Sequence, residues 1–172
     1  ELAERDRLPA EYLIVEVSPA LRAQQQQTLA GQIEQSPVKV RWLDTLPESG
    51  FRGVILANEV LDAMPVIRFR VAAEGHMTAG VVERNGHLDW SWKRDLAQNG
   101  RIDRLVKQYG LVADYTSEVN PSAAAWMQTV GRLLDTGLIL VMDYGYPGAE
   151  YYHPERSDGT LMCHYQHRAH MD

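Results

Sequence analysis

The sequence predicts a mixed α/β fold built on a parallel sheet, and three observations support this class. A helical stretch through Leu29 follows the first apolar run, with Ser18 at its cap and Pro19 in its first turn. Over residues 66–93 apolar and polar residues alternate instead, which is typical of antiparallel strands. Apolar runs of strand length recur at residues 12–17, 38–42, 53–57 and 138–142.

The elements between these runs follow from local signals. The connection from residue 42 to residue 53 is too short for a full helix. The pair Asn85-Gly86 between alternating runs predicts a β-hairpin. One helix is expected over residues 94–108, with a stop at Gly110, and another starts at Asn120-Pro121. We therefore predict one domain over residues 1–172, with a β insertion at 66–93 and a loop-rich segment at 147–172; the resemblance described below implies that the domain is partial and that this segment lies on the substrate side.

Composition and charge exclude several classes of protein. The 172 residues are 45% hydrophobic, which is enough for one domain with a sizeable core. A net charge of −6 argues against nucleic acid as a partner. Apolar runs stay well below the roughly 20 residues of a membrane span, and the N-terminus lacks the apolar core of a signal peptide. A lone cysteine, Cys163, gives no sign of an oxidising compartment, so we expect a cytoplasmic protein.

The end of the third apolar run carries the first candidate site. Asn58, Glu59 and Asp62 come directly after the run at residues 53–57. In open α/β sheets, ligands bind at the carboxyl ends of the strands, so these three residues are the first to suspect of chemistry. The structural alternative is that Asn58 caps a short helix and the two acids lie in its first turn.

Glu16 is the second candidate, because it stands at the end of the first predicted strand. A carboxylate there can accept hydrogen bonds from both hydroxyls of a ribose. Such an acid normally follows a glycine-rich turn by about 20 residues, and no such turn precedes Glu16 in this sequence. A surface acid at a strand end is the alternative.

Five sequence blocks follow one another along the chain, at residues 14–22, 57–66, 143–145, 151–156 and 159–168. The first contains an acid followed by Ser-Pro and Leu-Arg, and the second contains Ala-Asn-Glu, Asp-Ala and Pro-Val. The third is Asp-Tyr-Gly, and the last two are rich in Tyr and His. Taken in this order, the blocks resemble the MidA-type family of class I S-adenosylmethionine-dependent methyltransferases. This family is linked with protein arginine dimethylation and respiratory complex I assembly.

The resemblance implies a Rossmann-like methyltransferase sheet that is incomplete at its N-terminus. The family's glycine-rich first strand would lie before Glu1, and its last elements would follow Asp172. The chain, which opens without a methionine, is therefore expected to be the middle of a larger enzyme.

The resemblance also implies the cofactor and the roles of the candidate residues. S-adenosyl-L-methionine is the expected cofactor, with Glu16 on its ribose, Asp44 near its adenine and Asn58 on the floor of the site. Glu59 would hold the substrate guanidinium, and Asp62 is the second choice for this catalytic role. The expected substrate-binding residues are Asp143, Tyr144, His153 and His164.

The expected partner is a protein substrate that contains arginine, and a homo-oligomer is allowed. The location is the bacterial cytoplasm, or the mitochondrion for a eukaryotic family member. A rival from a different class is a non-catalytic assembly factor that uses the same fold to hold a partner protein. A second rival is a metal-dependent hydrolase, but zinc sites favour paired cysteines, so we predict no metal. In the hydrolase alternative, the candidate metal ligands would be His153, Cys163, His164, His167 and His170.

Overall fold

The computed structural model describes residues 2–166 and 168–170, apart from the side chains of His164, Tyr165 and His170. By its internal contacts the chain divides into two compact units. The first contains Glu1–Gly53 and Leu133–Thr136, and the second contains Val54–Arg132 and Gly137–Asp172.

The first unit is a strand, a helix and a parallel strand. Strand β1 is Glu11–Val15, helix α1 is Pro19–Gln35 and strand β2 is Lys39–Leu43. The Ser18 side chain accepts a hydrogen bond from the Leu21 N–H and caps α1, as predicted. Helix α1 is longer than the sequence indicates, because glutamine is well tolerated in helices and the first strong stop is Ser36 before Pro37.

Two longer strands form a second pair, β3 at Phe51–Asn58 and β8 at Leu134–Met142. Both were expected to be buried strands. One face of each is exposed instead, since no described residue covers it. The exposed fractions are 58% for Val54, 55% for Leu56, 57% for Leu138 and 42% for Leu140.

An antiparallel sheet of four strands dominates the second unit, in the order β6-β5-β4-β7. The strands are β4 (Ile67–Arg70), β5 (Met77–Arg84), β6 (His87–Arg94) and β7 (Thr116–Val119). The hairpin between β5 and β6 lies at Asn85 and Gly86, whose φ angles of 54° and 82° fit a type I′ turn. Strand β7 is missing from the sequence-based prediction, because the polar sequence Thr-Ser-Glu-Val does not read as a strand.

The main core lies between this sheet and helix α2, Leu96–Tyr109. Asp95 caps α2, and Gly110 ends it in the left-handed conformation with a φ of 64°. Helix α3, Pro121–Leu133, begins after Asn120 as predicted. The buried core cluster consists of Phe69, Val71, Ile102, Leu111 and Tyr115.

The C-terminal segment has more structure than the predicted loops. It contains a short helix α4 (Gly148–Tyr151), a 3-10 helix (Pro154–Arg156) and the antiparallel strands β9 (Cys163–Tyr165) and β10 (Arg168–His170). These elements are only three or four residues long, which is too short for a periodic pattern to reveal.

The mixed α/β class is therefore confirmed, but the continuous parallel sheet is not. Among the described residues, β1–β2 and β3–β8 are separate two-stranded sheets. The helices in this part of the chain are all too short or too polar to cross a membrane. The cytoplasmic location and the domain boundaries stay predictions.

Candidate functional site

The end of β3 leads into an acidic loop, which we define as residues 58–62. Asn58, Glu59 and Asp62 are all exposed there. Glu59 has a left-handed backbone with a φ of 50°, and its N–H donates to the Met142 carbonyl at 2.8 Å. Asn58 is the last residue of β3, and no helix follows it over residues 59–66, so the alternative in which Asn58 caps a helix is wrong.

Two side chains from distant parts of the chain fix this loop, and we call them the loop clamp. Asp143 Oδ2 accepts from the backbone N–H groups of Leu61 at 2.9 Å and Asp62 at 3.3 Å. On the other side, Asn120 Nδ2 donates to the Leu61 carbonyl at 3.1 Å. The loop backbone is thus held through both its donors and its acceptor, which restricts the positions of Glu59 and Asp62.

Asp62 is further engaged by a side chain. The Tyr144 hydroxyl donates to Asp62 Oδ2 at 2.6 Å. This hydrogen bond, followed by the negative charge of Asp62 itself, raises the pKa of Tyr144 above its ordinary value of 10. Glu59 differs, because its carboxylate makes no hydrogen bond or ion pair to any described residue. Of the two acids, Glu59 is therefore the one with both carboxylate oxygens free of described partners.

Sequence reasoning missed Asn120 as a site residue. Its Asn-Pro dipeptide predicted only the start of a helix, and Asn120 Oδ1 does cap α3 by accepting from the Ala123 N–H at 2.8 Å. The second contact, to Leu61, lies 59 positions away in sequence. No local pattern could indicate it.

Asn120→Asp separates the two roles of this amide. Aspartate caps helices about as well as asparagine, so we expect the midpoint of thermal unfolding to change by only a few degrees. The donor to Leu61 is lost, however, and we expect faster amide hydrogen exchange at Leu61 and Asp62. Exchange read by NMR checks this result, with Asp95→Asn, a conservative change at the α2 cap, as the matched control.

Unchanged exchange at both amides in Asn120→Asp would contradict the clamp. A collapse of global stability in that variant would instead assign Asn120 to folding alone.

Glu16 and Asp44 come together in the first unit, at the ends of adjacent strands. Val15 pairs with Leu43 in the parallel register, so each acid follows its strand at the same edge. Glu16 accepts from the Ser18 N–H at 2.8 Å and from Gln25 Nε2 at 3.1 Å. The Arg22 guanidinium binds Asp44.

Glu16 keeps enough acceptor capacity to bind a ribose. Each Glu16 oxygen accepts one hydrogen bond, and a carboxylate oxygen has two lone pairs. One further hydroxyl can therefore donate to each oxygen, as a ribose diol requires. The carboxylate of Asp44 is 87% exposed, so it too can reach a ligand.

The other predicted substrate residues occupy a different part of the second unit. His153 Nδ1 accepts from the Glu155 N–H at 3.3 Å, and the His153 carbonyl accepts from the Tyr115 hydroxyl at 3.0 Å. Within the described part of the chain, no hydrogen bond joins His153 to the acidic loop. The residues around an open cavity of about 320 Å³ here are Glu150, His153, Glu155 and Arg156. The side chain of His164 lies outside the described residues.

A buried carboxylate holds the segment that contains His153, and sequence reasoning missed it. Glu118 on β7 is 1% exposed. We call this residue and its three partners the Glu118 cluster. Its oxygens accept from Arg68 Nη1 at 3.0 Å, the Thr160 N–H at 2.8 Å and the Tyr151 hydroxyl at 3.4 Å. The partners of Glu118 come from three segments that are distant in sequence. The residues next to Glu118 therefore do not indicate that it is buried.

Within residues 2–166 and 168–170, no three side chains of His, Cys, Asp or Glu are grouped to hold a metal ion. His167 and the side chains of His164 and His170 lie outside this part of the chain. The absence of a metal site therefore stays a prediction.

Comparison with known proteins gives the family. Residues 3–172 match the model of a family described as "Putative S-adenosyl-L-methionine-dependent methyltransferase". The chain belongs to this family. The predicted cofactor is that of the family, whereas the narrower MidA-type assignment stays a prediction. A search of the curated proteins found no match.

Two solved structures from Burkholderia thailandensis resemble this chain over nearly its whole length. A COG1565 superfamily member bound to S-adenosyl-homocysteine is 40% identical, with a TM-score of 0.87 over 99% of this chain and 44% of that one. A native structure of a COG1565 superfamily protein is also 40% identical, with a TM-score of 0.83 over 99% of this chain and 45% of that one. The chain thus spans less than half of the length of either structure.

Proposed function

We propose that this chain forms part of an S-adenosyl-L-methionine-dependent methyltransferase that modifies an arginine of a protein substrate. The observation that carries the proposal is the state of Glu59. Its carboxylate stands exposed at a strand end, without a partner among the described residues, on a loop fixed by Asp143 and Asn120. A rigid backbone that presents a free carboxylate suits the recognition of a cationic group.

Glu59 is the proposed guanidinium holder because of its chemistry and its freedom. A carboxylate can accept two parallel N–H bonds from the planar guanidinium fork, which fixes the orientation of the acceptor nitrogen. Bound S-adenosyl-L-methionine supplies an electrophilic methyl group. Since methyl transfer needs an in-line approach, the orientation that Glu59 imposes is expected to contribute much of the rate. Asp62, already bonded to Tyr144, positions the loop.

On the cofactor side, we propose that Glu16 accepts hydrogen bonds from the ribose hydroxyls. Asp44, at the neighbouring strand end, is proposed to lie near the adenine, and Asn58 to line the floor of the site. The crystal structure with bound S-adenosyl-homocysteine supports a cofactor of this chemistry in a protein of similar fold. His153 and the cavity beside it are proposed to contact the protein substrate.

Calorimetric titration of S-adenosyl-homocysteine tests the cofactor half of this proposal. We would titrate this chain and a version extended upstream by the family's first strand and glycine-rich turn, the extended chain. In the extended chain, Glu16→Gln is expected to weaken binding about 10- to 100-fold, since hydrogen bonds to a charged group contribute about 1.5–3 kcal/mol.

The matched control is Glu11→Gln, which removes an exposed acid from the same strand and its surface ion pair with Arg41. Binding by neither version of the chain would overturn the methyltransferase proposal. Equal losses in the Glu16 and Glu11 variants would remove Glu16 from the cofactor site.

A further inference from the structure

Strand β6 forms an edge of the antiparallel sheet. It pairs with β5 over its whole length, from His87 opposite Arg84 to Arg94 opposite Met77. On its other side it pairs with no described strand. An edge strand of eight residues presents free backbone donors and acceptors, to which another strand can bind.

One face of β6 carries exposed apolar side chains together with Arg94. Leu88 is 78% exposed and Trp90 44% exposed, and Val81 opposite Trp90 is 59% exposed. The guanidinium of Arg68 lies 5.3 Å from the Trp90 ring, and that of Arg70 lies 4.2 Å from the Trp92 ring. The two indoles are therefore backed by cations and held on this face.

The opposite face of β6 carries two charges of opposite sign. Asp89 and Lys93 are both exposed, and neither forms an ion pair with any described residue. They stand four positions apart and symmetrically about Ser91. Natural edge strands usually carry charges that repel a second copy of themselves. In β6, by contrast, the positions of Asp89 and Lys93 allow each charge to pair with the opposite charge of a second copy.

The complementarity follows from antiparallel pairing of two β6 strands about Ser91. Asp89 of each copy then lies opposite Lys93 of the other, which gives two ion pairs related by symmetry. Trp90 of each copy lies opposite Trp92 of the other, so four indoles share one face. Cross-strand charge pairs and aromatic pairs both stabilise sheets.

Neighbouring registers lack this match. If one β6 strand slides by two residues along its copy, Asp89 lies opposite Ser91 of that copy. If it slides by two residues in the other direction, Asp89 lies opposite Asp95. The second of these arrangements sets like charges face to face. Of these three symmetric registers, only the one about Ser91 places both charges opposite charges of the other sign.

We propose that β6 is a homodimer interface, in which two copies of the chain pair their edge strands antiparallel about Ser91. The interface is isologous, as most dimer interfaces are. It joins two four-stranded sheets into one of eight strands, and it places Trp90 of each copy beside Trp92 of the other. This proposal stands independently of the methyltransferase activity.

Light scattering coupled to size exclusion, over a range of protein concentrations, tests the dimer by charge reversal. Lys93→Glu places two carboxylates opposite each other in both ion pairs, and we expect the dissociation constant to rise at least tenfold. The double exchange Asp89→Lys with Lys93→Asp restores opposite charges and should restore the dimer. Lys107→Glu on α2 is the control for net charge.

A cross-link checks the register directly. Ser91→Cys in a Cys163→Ser background places one thiol per copy at the symmetry axis, and mild oxidation should give a covalent dimer. Leu88→Cys in the same background lies off the axis and should cross-link poorly. A monomer at all concentrations would overturn the proposal, and so would a dimer that Lys93→Glu leaves unchanged while circular dichroism shows a folded chain.

Discussion

Glu59→Gln is expected to lower the rate of methyl transfer to a protein arginine by about 10²–10³-fold, the range seen when one key electrostatic contact of an active site is removed. The amide keeps the size of the side chain but loses the charge that pairs with guanidinium. The measurement is incorporation of labelled methyl groups by the extended chain, with mass spectrometry to locate them on arginine. Affinity for S-adenosyl-homocysteine should stay within about twofold, because Glu59 is proposed to contact the acceptor.

The matched control is Glu34→Gln, which neutralises an exposed acid on α1. This experiment also separates the enzyme from the assembly-factor alternative. A pure holder of a partner protein would show no methyl transfer in either form and would keep its cellular activity with glutamine at position 59. Full methyl transfer by Glu59→Gln would reject Glu59 as the guanidinium holder and move attention to Asp62.

Gly159→Ala is expected to lower the free energy of unfolding by about 3–5 kcal/mol, as breaking a buried ion pair does. Gly159 has a φ of 80°, and a Cβ there would come within 2.3 and 2.5 Å of the Glu118 oxygens. Glu118 would have to move, which would separate it from Arg68 and from the Thr160 N–H. Urea denaturation followed by circular dichroism measures the loss.

Gly86→Ala provides a control that isolates the contact from the backbone strain. Gly86 has nearly the same φ, 82°, but nothing lies within 4 Å of its added Cβ. We expect the free energy of unfolding of this variant to fall only by the cost of an alanine in the left-handed conformation, about 1–2 kcal/mol. Equal losses in the two variants would show that the Glu118 cluster does not depend on the space at position 159.

The parts of the fold that could be predicted from the sequence are those set by neighbouring residues. Ser18 before Pro19, Asn85 before Gly86 and Gly110 after α2 each determine a local conformation, and each lies where expected. Strand β7 could not be predicted in the same way. Its burial depends on β4 and on Tyr151 and Thr160, whose hydrogen bonds to Glu118 come from over 30 positions away.

The candidate site shows the same division. The acids at the ends of β1 and β3 were found because a polar residue after an apolar run is visible in the sequence. The roles of their neighbours were not visible. Asp143 was predicted to bind substrate, yet its Oδ2 already accepts from two loop amides that are more than 80 positions away in sequence. A single sequence contains no local trace of such a contact.

The backbone of Glu59 has a consequence for how this protein could change under selection. A left-handed residue other than glycine costs about 1–2 kcal/mol, and glutamate lacks the short side chain that lets asparagine or aspartate tolerate this conformation. Selection for thermostability alone would therefore favour glycine at position 59. If related sequences keep glutamate at this position, its activity outweighs the loss of folding stability. An alignment of homologues would show this without any assay.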